Sequence, residues 1–156
     1  MSGPAQSHET FTIELTYPNC LDHVWACWAD LDKKRAWFGD GLRQMDFRPG
    51  GAELSGFQDG MGEHANETCY FEIQDRRRIV LAYSMALNGR VHTVSLATVV
   101  FAEADGGTRL TYTEQMCVIP PSDGVEGRRH GWDALLTALE DYLAQDTLAE
   151  ANRRTH

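Results

Sequence analysis

The chain has 156 residues, 42% of them hydrophobic and 24% charged, with a formal net charge of −9 at pH 7. That is one domain's length, enough to bury a core without disulfide or metal staples. The acidic balance excludes a partner held by phosphate neutralisation, so no nucleic acid is expected, and no apolar run approaches the ~20 residues of a membrane span.

Residues 1–8 read as a flexible tail without the charged-then-apolar layout of a signal peptide, and a cytoplasmic location is expected. Residues 9–17 alternate strictly, with Phe11, Ile13, Leu15 and Tyr17 on one face, which predicts a strand. Pro18 stops it. Asn19 is placed to cap a short helix whose Leu21, Val24, Trp25 and Trp28 follow helical spacing. Asp30 caps a second short helix through Trp37, closed by Gly39 and Gly41.

Strands then read over Leu42–Arg48, Ala52–Gln58, Thr68–Gln74, Ile79–Leu87, Val91–Glu103 and Thr108–Ile119. Asn88-Gly89 is the strongest hairpin signal, because both positions tolerate positive φ. The last element is an amphipathic helix over 124–146, with Trp132, Leu135, Leu136, Leu139 and Leu143 forming one apolar stripe. Asp123 with Glu126 would make a capping box at its start. Such a helix is about 34 Å long at its usual rise. The order predicts an α+β fold in which a meandering antiparallel sheet is covered by the long helix, as one domain over 9–146 with a fraying tail at 147–156.

A long helix laid on a curved sheet leaves room for a cavity, so residues on the facing surfaces are the first site candidates. Ile79, Leu81, Tyr83 and Met85 share one strand face; Leu110, Tyr112, Glu114 and Met116 share another. A pocket of this kind would be apolar with a few aimed polar groups. The alternative is a filled core whose hydroxyls find backbone partners, with Glu114 in water at a frayed sheet end. For acid–base chemistry the candidates are Glu114 and His130, although a histidine preceding Gly131-Trp132 is more often a surface residue. Trp37 and Phe38 sit beside glycines where a pocket mouth could open.

Other constellations carry less. Cys20, Cys27, Cys69 and Cys117 form no CxxC pair and read as buried free thiols in a reduced compartment. Glu63, His64 and Glu67 have metal-ligand side chains but no second histidine or cysteine at fixed spacing, so no metal is expected. Arg76, Arg77 and Arg78 read as a solvated turn. No nucleophile elbow and no glycine-rich nucleotide loop is present, so no cofactor is expected.

Several local signals occur in a shared order: Trp28-Ala29-Asp30 leading to Trp37-Phe38-Gly39, Arg48-Pro49-Gly50-Gly51, Asp59-Gly60, Gly107-Thr108-Arg109-Leu110-Thr111, and Gly131-Trp132 ahead of Leu136, Leu139 and Tyr142-Leu143. This set resembles the branch of the START/SRPBCC (Bet v 1-like) helix-grip superfamily named after the activator of heat-shock-protein-90 ATPase. The resemblance covers about residues 9–146. It implies a seven-stranded sheet wrapped around the C-terminal helix over an internal hydrophobic cavity. Superfamily members bind lipids, sterols, polyketides or plant hormones, and some are aromatases, cyclases or hydrolases. The co-chaperone role belongs to longer eukaryotic members with an extra N-terminal domain, for which this length leaves no room. The polar run Gly62–Glu67, read as a loop before Thr68, departs from the expected pattern at the pocket rim.

The leading expectation is a small-molecule-binding protein whose largely apolar or aromatic ligand contacts Trp37, Phe38, Tyr83, Met85, Tyr112, Trp132 and Leu136. A cyclase, dehydratase or hydrolase using Glu114 or His130 is the second. The third is an interaction module, acting as a homodimer or stress-response accessory, with Val80, Ala82, Leu96, Thr98 and Val100 on the outer sheet face suited to pairing.

Overall fold

The computed structural model describes residues 5–154, with side chains described through residue 148. The alternating residues form β1 (Ser7–Tyr17), followed by α1 (Leu21–Ala29) and α2 (Leu31–Phe38). Six strands come next: β2 (Leu42–Met45), β3 (Ala52–Asp59), β4 (Gly62–Gln74), β5 (Arg78–Leu87), β6 (Arg90–Ala104) and β7 (Gly107–Val118). The chain then enters α3 (Gly124–Arg154). All seven strands join one sheet in the order β1-β7-β6-β5-β4-β3-β2, with every neighbouring pair antiparallel. This is the antiparallel α+β order expected from the elements, in the helix-grip form that the family resemblance implies.

Local chemistry sets the connections. Asn88-Gly89 and Asp105-Gly106 both turn at positive φ, 52° and 81° in the first and 50° and 81° in the second. Mirror-image turns of that kind match strand twist. Gly41 and Gly56 let two backbones meet: a Cβ on Gly41 would stand 2.1 Å from the Gly56 carbonyl oxygen. That approach holds β2 against β3, with Gly56 N donating to Gly41 O at 3.0 Å.

Four expectations are corrected by the structure. The polar run Gly62–Glu67 is strand, because β4 starts at Gly62 and pairs with β3 through His64↔Phe57 and Asn66↔Ser55. Its polarity follows from alternation: Glu63, Ala65 and Glu67 face water, while His64 and Asn66 lie half-buried on the other face. The terminal helix runs to Arg154 instead of ending at 146, since neither Gly nor Pro interrupts Asp146–Arg154. The expected tail at 147–154 is therefore helix, and Ser7–His8 of the expected tail at 1–8 are strand, paired with Val118 and Cys117; residues 1–4 and 155–156 lie outside the described residues.

The third concerns caps. Asp30 Oδ1 accepts from Lys33 N at 3.1 Å and caps α2 as expected. Asn19 does not cap α1; Cys20 holds that position without a side-chain bond. Asn19 Nδ2 instead donates to Leu143 O at 3.2 Å and to Thr147 Oγ1 at 2.7 Å, so it ties the end of β1 to α3. The expected Asp123–Glu126 box is replaced by Ser122, whose Oγ accepts from Gly124 N at 3.2 Å.

The core lies between the concave sheet face and α3. Trp132, Leu136, Leu139 and Leu143 meet Phe11, Ile13, Leu110 and Tyr112 and the inner faces of β5 and β6. Each such side chain contributes about 2 kcal/mol of burial, which holds the helix in place far more firmly than propensity does. Trp25 and Trp28 of α1 close one end against Phe101, at 5.0 and 6.0 Å between ring centres. On the outer face Val94, Leu96 and Val100 are exposed. Among the cysteines, only Cys27 is fully buried and Cys20 is exposed, which corrects the expectation of four buried thiols.

Candidate functional site

Alternation on β7 aims Glu114 inward, and the sheet then surrounds it. Its direct partners are Phe11 on β1 and Ala97 on β6, and the small Ala97 leaves room for longer side chains from β5 and α3. Glu114 Oε1 accepts from Tyr83 Oη at 2.7 Å and Tyr112 Oη at 2.6 Å. Oε2 accepts from Ser95 Oγ at 2.6 Å and Arg128 Nη1 at 2.6 Å. Arg128 also donates to Tyr83 Oη at 2.9 Å, Ser95 Oγ at 3.3 Å and Thr93 Oγ1 at 2.5 Å. Trp132 Nε1 donates to Tyr83 Oη at 3.2 Å.

Glu114 is 0% exposed and Arg128 7%. Burial of two ions costs several kcal/mol each unless their lone pairs and protons are met. Here four donors meet the carboxylate. The charges also act on their neighbours. Burial, then the Glu114 charge, pushes the Tyr83 hydroxyl far above its ordinary pKa. Burial raises Tyr112 likewise, with Tyr83 and Glu114 adding to it. For Arg128 burial works downward, but Tyr83 and Glu114 outweigh it and hold the guanidinium charged. At neutral pH both phenols are hydroxyls that donate and the guanidinium is a cation.

Beside this cluster lies a cavity of about 560 Å³, inside the ~300–1,000 Å³ range of small-molecule sites. Trp28, Phe38, Leu81, Met85, Trp132 and Leu135 make its apolar side. Its polar side comes from α2, β3 and β4: Lys34, Glu53, Ser55, Asn66 and Thr68. Gly127 and Gly131 of α3 border it, with Arg128 and Tyr83 connecting it to the Glu114 cluster. Lys34 Nζ is 2.6 Å from Glu53 Oε1, and both residues are buried, at 3% and 4% exposure. Tyr70 Oη donates to the same Glu53 oxygen at 2.5 Å. The Lys34 ammonium lies 5.0 Å from the Phe38 ring centre and 5.5 Å from that of Trp28, where the ring faces attract it.

Of the residues expected to contact a ligand, Phe38, Tyr83, Met85 and Trp132 line this cavity. Trp37, Tyr112 and Leu136 do not. Trp37 packs 5.0 Å from Trp28 and donates Nε1 to Cys27 O at 2.8 Å. Tyr112 lies beneath Trp132, ring centres 4.2 Å apart. Leu136 is fully buried. All three belong to the packed core; Leu136 does so because an α3 stripe broad enough to grip the sheet covers both core and cavity.

The two acid–base candidates separate. Glu114 is not in water at a frayed strand end: the pairing of β7 with β1 and β6 continues past it to Val118. Nor does it line the cavity, since its own donors enclose it. His130 is exposed and points away from the sheet. The residue facing inward at that level is Arg128, one helical turn before Trp132. Sequence reasoning missed it, as it missed Lys34 and Glu53. A usable signal was present in Arg128, which occupies the i−4 position of the Trp132 stripe opposite an inward Glu114.

The remaining polar motifs are tied down locally. His64 Nε2 is 2.8 Å from Asp59 Oδ1 and its ring stacks on Phe57 at 4.3 Å, on the face opposite Glu63 and Glu67. Arg76 pairs with Asp22 and Asp75, and Arg78 with Glu72. No described helix is long and apolar enough to cross a membrane.

Comparison with known proteins agrees with this architecture. A family model described as "Activator of Hsp90 ATPase homolog 1-like protein" matches residues 20–144. A protein of Rhizobium leguminosarum is 32% identical, with a TM-score of 0.86 over 90% of this chain and 97% of that one. Mll3558 of Rhizobium loti is 39% identical, with a TM-score of 0.83 over 89% and 99%. The Staphylococcus aureus protein SA2116 shares the fold at 16% identity, with a TM-score of 0.74 over 92% and 98%. No curated protein matches. From the ordered motifs, the gripped helix and this match across most of its length, the chain belongs to the Activator of Hsp90 ATPase homolog 1-like family.

Proposed function

We propose that the protein binds a small, largely apolar or aromatic molecule in the space enclosed by β3, β4, β5, α2 and α3. The observation carrying this reading is the 560 Å³ hollow beside a packed core, with Trp28, Phe38, Met85 and Trp132 on its wall. A ligand burying its apolar surface there gains roughly 25 cal/mol per Å². The family's fold is a ligand-binding one, which supports the same conclusion. Glu114, saturated by four donors and out of the cavity, acts as a structural anchor for Tyr83 and Arg128 and not as the proton carrier of an enzyme.

Native mass spectrometry of the freshly purified protein tests the reading. A co-purified mass that is released on unfolding is expected. Met85 lines the cavity, so Met85→Arg is expected to leave a folded protein that no longer carries that mass. Retention of the mass by the variant would place the ligand elsewhere.

A further inference from the structure

The two buried ion pairs at this site differ in how completely their hydrogen-bonding capacity is used. Both oxygens of Glu114 accept two bonds each. In the Lys34–Glu53 pair, Glu53 Oε1 accepts from both Lys34 Nζ and Tyr70 Oη. Glu53 Oε2 accepts nothing from the described residues. Lys34 carries three N–H donors, of which one has a partner among the described residues. A buried ammonium and a buried carboxylate with unmet capacity are costly to keep, so this side of the pair faces something that can meet it.

The surroundings agree. The sealed, unpartnered polar atoms among the described residues are Trp28 Nε1 and Asn66 Oδ1. Glu53 Oε2 is not one of them, so it keeps accessible surface, and Glu53 lies on the cavity wall with Lys34. The pair is neutral overall. An anion approaching Lys34 would meet the Glu53 carboxylate, whose nearer oxygen is 2.6 Å from Nζ; a cation approaching Glu53 would meet the ammonium. A neutral group that both donates and accepts suits the two together. Trp28 and Phe38 flank the ammonium, and the partly buried Phe38 on the cavity wall offers apolar surface to the remainder of the same molecule.

We propose that the Lys34–Glu53 pair is a receptor for a hydroxyl group on an apolar ligand body, an alcohol or phenol that accepts from Lys34 Nζ and donates to Glu53 Oε2. This rests on the cavity-binding reading above and adds the class of ligand and the point where it is anchored.

The test is calorimetric titration of the full chain at pH 7 with three probes of one shape: 2-naphthol, 2-methoxynaphthalene and 2-naphthoate. The naphthol donates and accepts, the methyl ether only accepts, and the naphthoate is an anion. The expected result is naphthol binding about tenfold or more tightly than the ether, the usual worth of a hydrogen bond to a charged group, with naphthoate weakest. In the double variant Lys34→Met, Glu53→Gln, which removes both charges together and is checked for folding by circular dichroism, the preference for naphthol over the ether is expected to fall to about twofold or less. Equal affinities in the unaltered protein overturn the hydroxyl receptor while leaving cavity binding intact. Tightest binding of naphthoate overturns it in favour of an anion site at Lys34. Failure of all three to bind overturns the cavity reading and this inference with it.

Discussion

Removing the Arg128 guanidinium would strand the Glu114 carboxylate, which is 0% exposed and 2.6 Å from Nη1. Arg128→Met is therefore expected to lower stability by about 3–5 kcal/mol, measured by urea unfolding. Glu114→Gln keeps an acceptor for the tyrosine hydroxyls but leaves the arginine charge unmatched, and a smaller loss of about 2–3 kcal/mol is expected. If both charges go together, in Arg128→Met with Glu114→Gln, the loss should be less than the sum of the two single changes. Additive losses would mean that the charges do not act as a unit. The residue scale was also where the sequence was hardest to read. Tyr83, Met85 and Trp132 were legible from alternation and helical stripes, since apolar side chains announce their face by period. Lys34 and Glu53 were not, because a lone charge off any apolar stripe carries no periodic signal and its default reading is a solvated one; Arg128 did carry one, four residues before Trp132, but the same default hides it. Only knowing that β3, α2 and α3 meet around one hollow reveals that these charges face each other.

Element-level features were more legible: every helix and strand was expected, and the errors lie at ends. β4 gained its first six residues from pairing with β3, since Gly62–Glu67 pairs through Asp59↔Gly62 to Leu54↔Glu67, a long-range effect that local polarity hides. Helix α3 gained its last turns because Thr147 and Asn19 bind there, and nothing local to 19 announces a partner at 147. The two glycines of α3 that border the cavity, Gly127 and Gly131, also acquire a meaning. A Cβ at Gly127 would collide with Asp123 at 2.1 Å, whereas a Cβ at Gly131 would meet nothing within 4 Å. Gly131→Ala is thus expected to stabilise the helix by about 0.5–1 kcal/mol, read from the urea midpoint. Gly131→Leu would send a side chain into the same open space. It should keep the fold and cut binding of an apolar probe such as 2-methoxynaphthalene by about tenfold or more, as expected from a filled pocket. Unchanged affinity in this variant would mean that the ligand does not use the α3 wall.

At the scale of the whole molecule, the unusual quantity is the state of the tyrosines. All five, Tyr17, Tyr70, Tyr83, Tyr112 and Tyr142, are held above the ordinary value of 10.0. Burial is the first cause in each, and the charges of Glu53 and Glu114 reinforce it at Tyr70 and at Tyr83. Four of them are core residues. Their hydroxyls hold the sheet to its charges: Tyr70 to Glu53, and Tyr83 and Tyr112 to Glu114. In the unfolded chain each titrates near pH 10, while in the folded protein each keeps its proton. Above that pH the unfolded state binds fewer protons than the native state, so stability is complete below about pH 10 and falls as pH rises beyond it. With four core tyrosines the slope approaches about 5 kcal/mol per pH unit, steep enough to unfold a domain of ordinary stability within about two units. A spectrophotometric titration should show little tyrosinate until the protein unfolds, and then a single step in which tyrosinate absorbance and loss of circular dichroism coincide. Gradual ionisation of four or five tyrosines with the ellipticity intact would mean that these phenols are open to solvent and that the core is looser than its geometry implies.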